Sequence, residues 1–97
     1  MAHNEKDDVP KNHVAVVIAT TAGTWPLSGS ELVPDHQKLE VALEKAAKAL
    51  EITNTSGWIA TAGGRKLDPT KSYLENQLSN RCTIDFGPVE SGGGARA

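Results

Sequence analysis

The chain has a single cysteine, only four aromatic residues, no long apolar run and no excess of charge of either sign. Each scarcity removes a class of protein. Cys82 alone closes no intramolecular disulfide, and one thiol makes no structural zinc site. His3, His13 and His36 show no ligand spacing with one another or with Cys82, so neither a metal nor a bound cofactor is expected. Twelve acidic against ten basic residues give a formal charge of -2, which leaves no broad electropositive surface for holding nucleic acid by counterion release. No stretch approaches the roughly 18–20 consecutive apolar residues of a membrane span, and Met1 to Lys11 is polar where a signal peptide would be apolar. A soluble, cytoplasmic chain is the expectation. Its 97 residues, 38% of them apolar, suffice for one small domain and leave nothing for a second core.

What is present falls into three parts. Residues 1–12 set Lys6 and Lys11 against Glu5, Asp7 and Asp8, with Val9 the only sizeable apolar side chain after Met1. That is too little burial to offset about 1–2 kcal/mol of backbone entropy per ordered residue, so a disordered leader is expected. Residues 88–97 run Pro88, Val89, Glu90, Ser91, Gly92, Gly93, Gly94, Ala95, Arg96 and Ala97, where glycine raises the ordering cost further; a flexible tail is expected. Residues 13–87 remain as the folded domain.

Within it, Val14 to Ala19 is β-branched and alternating, with Val14, Val16 and Ile18 on one face. Trp25 to Val33 reads as a returning strand broken at Pro26 and Gly29, hence an edge strand or a bulged one. Asp35 to Glu51 reads as the main helix, with Leu39, Ala42, Leu43, Ala46 and Leu50 at three- and four-residue steps and Asp35 as its cap. Trp58 to Ala62 is a further strand, turned by Gly63-Gly64 into Arg65-Lys66-Leu67. Asp68-Pro69 opens a short helical turn over 70–78 anchored by Tyr73, Leu74 and Leu78, and Arg81 to Phe86 is the last strand. Two hairpins, one amphipathic helix and a final strand make an α+β domain in which a mixed sheet of four to five strands packs on one main helix.

This order, together with Ile59-Ala60-Thr61-Ala62-Gly63-Gly64-Arg65-Lys66-Leu67, the 70–73 segment, Thr83-Ile84-Asp85-Phe86 and the glycine-rich tail, resembles ubiquitin and its bacterial ubiquitin-like relatives. The resemblance covers most of the chain, from about His13 to Gly94, and implies the β-grasp fold. It further implies a protein modifier, not itself an enzyme. A peptidase would remove Ala95-Arg96-Ala97, an activating enzyme would use ATP to adenylate the exposed glycine, and a conjugating enzyme would pass it to target proteins through an isopeptide bond. Gly92, Gly93, Gly94 and Ala95 are then the processing and conjugation residues. The family's usual tail length ends at Gly93, whereas removal of the non-glycine extension alone ends at Gly94. Glycine also suits a narrow active-site channel on physical grounds, because a residue without Cβ permits close backbone approach. Trp58, Arg65, Pro88, Val89 and Ser91 are the candidate partner-binding residues.

Two departures from ubiquitin stand out. The Gly63-Gly64 turn is one residue longer, and the outward positions of the last strand, Thr83, Asp85 and Gly87, replace an apolar patch. Receptors specific for ubiquitin are poor candidates as partners, while Trp58 or Ala60 on that outward face would suit a dedicated pocket. Two other functions fit the same fold: a sulfur carrier whose terminal glycine becomes a thiocarboxylate, and a non-conjugated interaction domain with an inert tail. The extension beyond the glycines speaks against the carrier. Gly63-Gly64-Arg65-Lys66 lacks the spacing of a phosphate loop and reads as a hairpin turn. Cys82, without an evident base, reads as a small buried residue. Trp25 and Trp58 are as well suited to filling a core with few aromatics as to anchoring an interface.

Overall fold

The structure is a computed structural model that describes residues 9–88. Seven elements follow in order: β1 (His13–Thr20), β2 (Gly23–Trp25), β3 (Glu31–Pro34), α1 (Leu39–Ala49), β4 (Trp58–Ala62), β5 (Arg65–Lys66) and β6 (Asn80–Pro88). Of the leader, residues 9–12 are described; they lead into β1 through a turn in which the His13 amide donates to the Pro10 carbonyl.

β1 and β6 run parallel at the centre, from Val14 opposite Asn80 to Ala19 opposite Asp85. β4 lies antiparallel to β6, with Ala60 opposite Phe86, and β5 closes that edge. The other edge is shared by β2 and β3, which pair with the two ends of β1 while residues 26–30 leave the ladder between them. The expected single return strand is thus split where Pro26 and Gly29 interrupt it, for the reason the sequence gives: proline has no amide to donate.

Alternation fixes which side chains are inside. Val14, Val16 and Ile18 from β1 and Ile84 and Phe86 from β6 point to one face, where Leu39, Ala42, Leu43 and Ala46 of α1 cover them. Tyr73, Leu67 and Leu78 complete the core. At about 25 cal/mol per Å² of apolar surface, this one-sided burial supplies the main stabilisation.

The helix begins at Leu39, the first residue of its apolar period and four residues after the expected start at Asp35. Asp35 is not its cap: Lys38 occupies that position, in extended geometry and without a side-chain hydrogen bond. The first free amides are satisfied from elsewhere in the chain, Leu39 N–H donating to the Lys71 carbonyl and Glu40 N–H to the Pro69 carbonyl, each at 3.0 Å. Backbone from a distant loop replaces the local cap. At the other end Ile52 N–H reaches the Ala47 carbonyl and Glu51 N–H the Lys48 carbonyl, with Glu51 at φ 61°, which is a Schellman ending on a residue other than glycine.

The 70–78 segment is a chain of turns, not a helix. Tyr73 and Leu78 anchor it as expected, but Leu74 is 55% exposed. Its organiser is Asn76, whose amide bonds the backbone of Asp68 and Ser72.

Candidate functional site

β6 delivers the chain to the candidate site. Residues 80–84 pair with β1 alone, Asp85 lies between Ala19 of β1 and Thr61 of β4, and beyond Asp85 only β4 continues, ending with Pro88 opposite Trp58. The described chain therefore ends at Pro88, beside Trp58. Pro88 is exposed at that end. Val89, Ser91, Gly92, Gly93, Gly94 and Ala95 lie outside the described residues.

Trp58 does not face outward. The register Ala60 to Phe86 puts even-numbered residues of β4 on the helix side, so Ala60 is buried and Trp58 is half-buried against the core. Its ring meets Phe86 edge-on, with centroids 5.1 Å apart and planes at 70°, an arrangement aromatic quadrupoles favour. The part of the indole that remains accessible opens into a groove of about 680 Å³ between α1 and the start of β4. Half-buried Val41, Ala47, Ile52 and Pro69 line it with Trp58, and Glu40, Glu44, Lys45 and Lys48 rim it. Sequence reasoning missed this groove. The available signal was Val41 and Ala47, apolar helix residues lying outside the Leu39, Ala42, Leu43 and Ala46 stripe.

Arg65 is exposed in β5, opposite Ala62 at the far end of β4 from Trp58. Four residues of strand, about 13 Å, separate those ends, so the structure does not bring Arg65 and Trp58 together. Gly63 and Gly64, at φ 60° and 83°, form the hairpin turn between β4 and β5.

The opposite face of the sheet is polar at this end of β6. Thr83 and Asp85 are exposed there, and a depression of about 450 Å³ is lined by Ala19, Thr20, Thr21, Ile59, Thr61, Asp85, Phe86, Gly87 and Pro88. Ile59, half-buried, is its one large aliphatic side chain.

Cys82 sits on the inner face, half-buried against the core, and burial pushes its thiol up to about 11. A thiol held neutral at physiological pH is a poor nucleophile. Burial likewise raises the Tyr73 phenol, assisted by Cys82 and Glu31 nearby. Among the described residues no group of three or more histidine, cysteine or acidic side chains could hold a metal ion, and no helix is long and apolar enough to cross a membrane.

No protein-family model matches the chain, and no curated protein does. Solved structures do. One is a de novo designed protein based on ubiquitin, similar at 21% identity over 89% of this chain and 100% of its own, with a TM-score of 0.64. Another is a chain from a structure on molecular mimicry of SUMO that promotes DNA repair, at 9% identity over 79% of this chain and 92% of its own, TM-score 0.64. A third belongs to the pParkin–pUb–UbcH7 complex, at 15% identity and a TM-score of 0.61, with 81% of this chain matching 24% of that one. What is shared at these identities is the fold: a ubiquitin-like α+β arrangement with a mixed sheet packed on one helix.

Proposed function

We propose that this chain is a ubiquitin-like protein modifier of the bacterial ubiquitination-like type, cut to a C-terminal glycine in the cytoplasm and then attached to target proteins. The observation that carries the reading is continuity. A ubiquitin-like fold runs out along its central strand at Pro88, and the residues that follow are Val89-Glu90-Ser91 and then Gly92-Gly93-Gly94 with Ala95 behind them. Six residues separate Pro88 from Gly94, enough for an extended reach of about 20 Å from the domain into an active-site channel.

The chemistry dictates the order of events. Gly94 is in peptide linkage to Ala95, so it has no carboxylate to activate. A peptidase adds water across that bond, leaving a carboxylate on Gly94 and an amine on Ala95; a cut after Gly93 is the alternative. On an activating enzyme the carboxylate oxygen attacks the α-phosphorus of ATP, pyrophosphate departs, and an acyl adenylate forms. A thiol or hydroxyl of the activating or conjugating enzyme displaces AMP. A target amine then displaces that group, loses a proton, and keeps the acyl chain as an amide. Throughout, this protein is the substrate, and the nucleotide belongs to its partner.

The polar face around Asp85 supports dedicated enzymes over receptors that grip an apolar patch. The test is to express the tagged chain with its native neighbours and search purified material by mass spectrometry for glycine remnants on lysine side chains. Conjugates are expected from the full chain and none from a chain ending before Gly92. Unchanged partner binding by the shortened chain, with no conjugates from either, would replace the modifier with a docking module. A terminal glycine recovered with sulfur in place of one carboxylate oxygen would replace it with a sulfur carrier.

A further inference from the structure

We infer that the groove between α1 and the start of β4 is the docking surface of the peptidase that cuts the C-terminal segment, an inference that rests on the processing reading above. Peptidases commonly select substrates through side chains flanking the scissile bond. Here Ser91 to Ala95 offer one hydroxyl and one methyl group, and Arg96 is the one charged side chain after the glycines. The three glycines on the acyl side of the bond add no side-chain contacts, which leaves the folded domain to supply the remaining selectivity.

The groove is placed for that role. Trp58 lines it, and Trp58 is the ladder partner of Pro88, the last described residue before the segment that carries the glycines. An enzyme seated on Trp58 therefore has Pro88 within its own footprint. The depression on the other face, around Thr61 and Asp85, is lined by Pro88 itself and by Phe86, but it is smaller, about 450 Å³ against about 680 Å³, and its one large aliphatic side chain is half-buried Ile59. The groove has the volume of a small-molecule site and is lined by a tryptophan, a residue type enriched where binding energy concentrates at interfaces.

Its rim states the chemistry of the occupant. Glu40 stands at the end marked by Pro69, whose carbonyl accepts from the Glu40 amide; Lys48 stands at the end marked by Ile52. Eight helical residues, about 12 Å, separate these two charges, with Glu44 and Lys45 between them. The complementary surface on the peptidase carries a large apolar side chain for Trp58, an acidic group facing Lys45 and Lys48, and a basic group facing Glu40 and Glu44. Such charge pairing sets approach and register, and it weakens with salt.

The test follows cleavage by intact mass when the purified full chain is added to extract from cells expressing its native neighbours. K45E/K48E reverses one end of the rim at exposed positions, and K66E/K71E makes the same charge change outside the groove. Circular dichroism verifies that both variants keep their helix. The unaltered chain and K66E/K71E are expected to lose the residues after the glycines at similar rates, while K45E/K48E slows by about tenfold at low salt and less at high salt. Equal rates for the two double variants would overturn the groove assignment and leave the modifier reading standing. An unaltered chain that stays uncut would overturn both.

Discussion

Replacing Asn76 by alanine should destabilise the domain by loosening the loop that supports the start of α1. Asn76 is 6% exposed. Its Oδ1 accepts from the Asp68 amide at 2.8 Å, and its Nδ2 donates to the Asp68 and Ser72 carbonyls at 2.9 Å each. Those bonds fix the loop whose Lys71 and Pro69 carbonyls receive the first amides of α1. Alanine removes all three, at about 1 kcal/mol net each, for a loss of about 3 kcal/mol. Against a total of about 5–15 kcal/mol for a small domain, this lowers the melting temperature by roughly 10–20 °C. Urea denaturation followed by tryptophan fluorescence measures the loss, and hydrogen exchange at the Leu39 and Glu40 amides shows whether the helix start loosens with it. A change within about 0.5 kcal/mol, the size of an inconsequential surface substitution, with both amides still protected, would refute the role given to this loop.

Glu51→Gly should stabilise the protein, because Glu51 holds a left-handed conformation at the end of α1 that glycine adopts without steric cost. After the extra entropy of glycine in the unfolded chain, the gain is about 0.5 kcal/mol, read as a higher urea midpoint; a loss would contradict the Schellman ending. Cys82 should alkylate slowly in the folded protein at pH 8, since a thiol raised from 9.0 to about 11 carries roughly a hundredfold less thiolate than the unfolded chain. Equal iodoacetamide rates with and without urea would show that it is not buried. Cys82 and Tyr73 both have folded-state values raised above their ordinary 9.0 and 10.0, so their contribution to stability is complete below about pH 9 and declines as pH rises through 11 and beyond. Melting temperatures between pH 8 and 11.5 should fall accordingly, and less steeply in Tyr73→Phe.

Where periodicity alone decides structure, the sequence was a sufficient guide. Val14, Val16 and Ile18 alternate into the core, Trp58–Ala62 is a strand with the expected bounds, and Gly63-Gly64 makes its turn. The features that escaped depend on partners distant in the chain. Asp35 looked like the helix cap because it follows Pro34, but the caps come from Pro69 and Lys71, more than thirty residues later, and no local window contains them. The sequence leaves Trp58 open between core and outward face, because the side of a strand follows from register. Here pairing of Ala60 with Phe86 turned the indole inward. Leu74 carried a helical spacing that the Asn76 network overrides by holding the loop in turns. The groove required the helix and β4 to be seen together, since neither Val41 nor Ile52 signals a cleft by itself.

If the chain is a modifier, the residues after the glycines are removed to expose a carboxylate. Intact mass and C-terminal peptide sequencing of the protein recovered from cells expressing its native neighbours reads this out. The expected result is a chain ending at Gly94, or at Gly93, with Ala95-Arg96-Ala97 gone. A population still carrying Ala97 throughout, with those neighbours active, would contradict the modifier reading and leave a ubiquitin-like docking domain in its place.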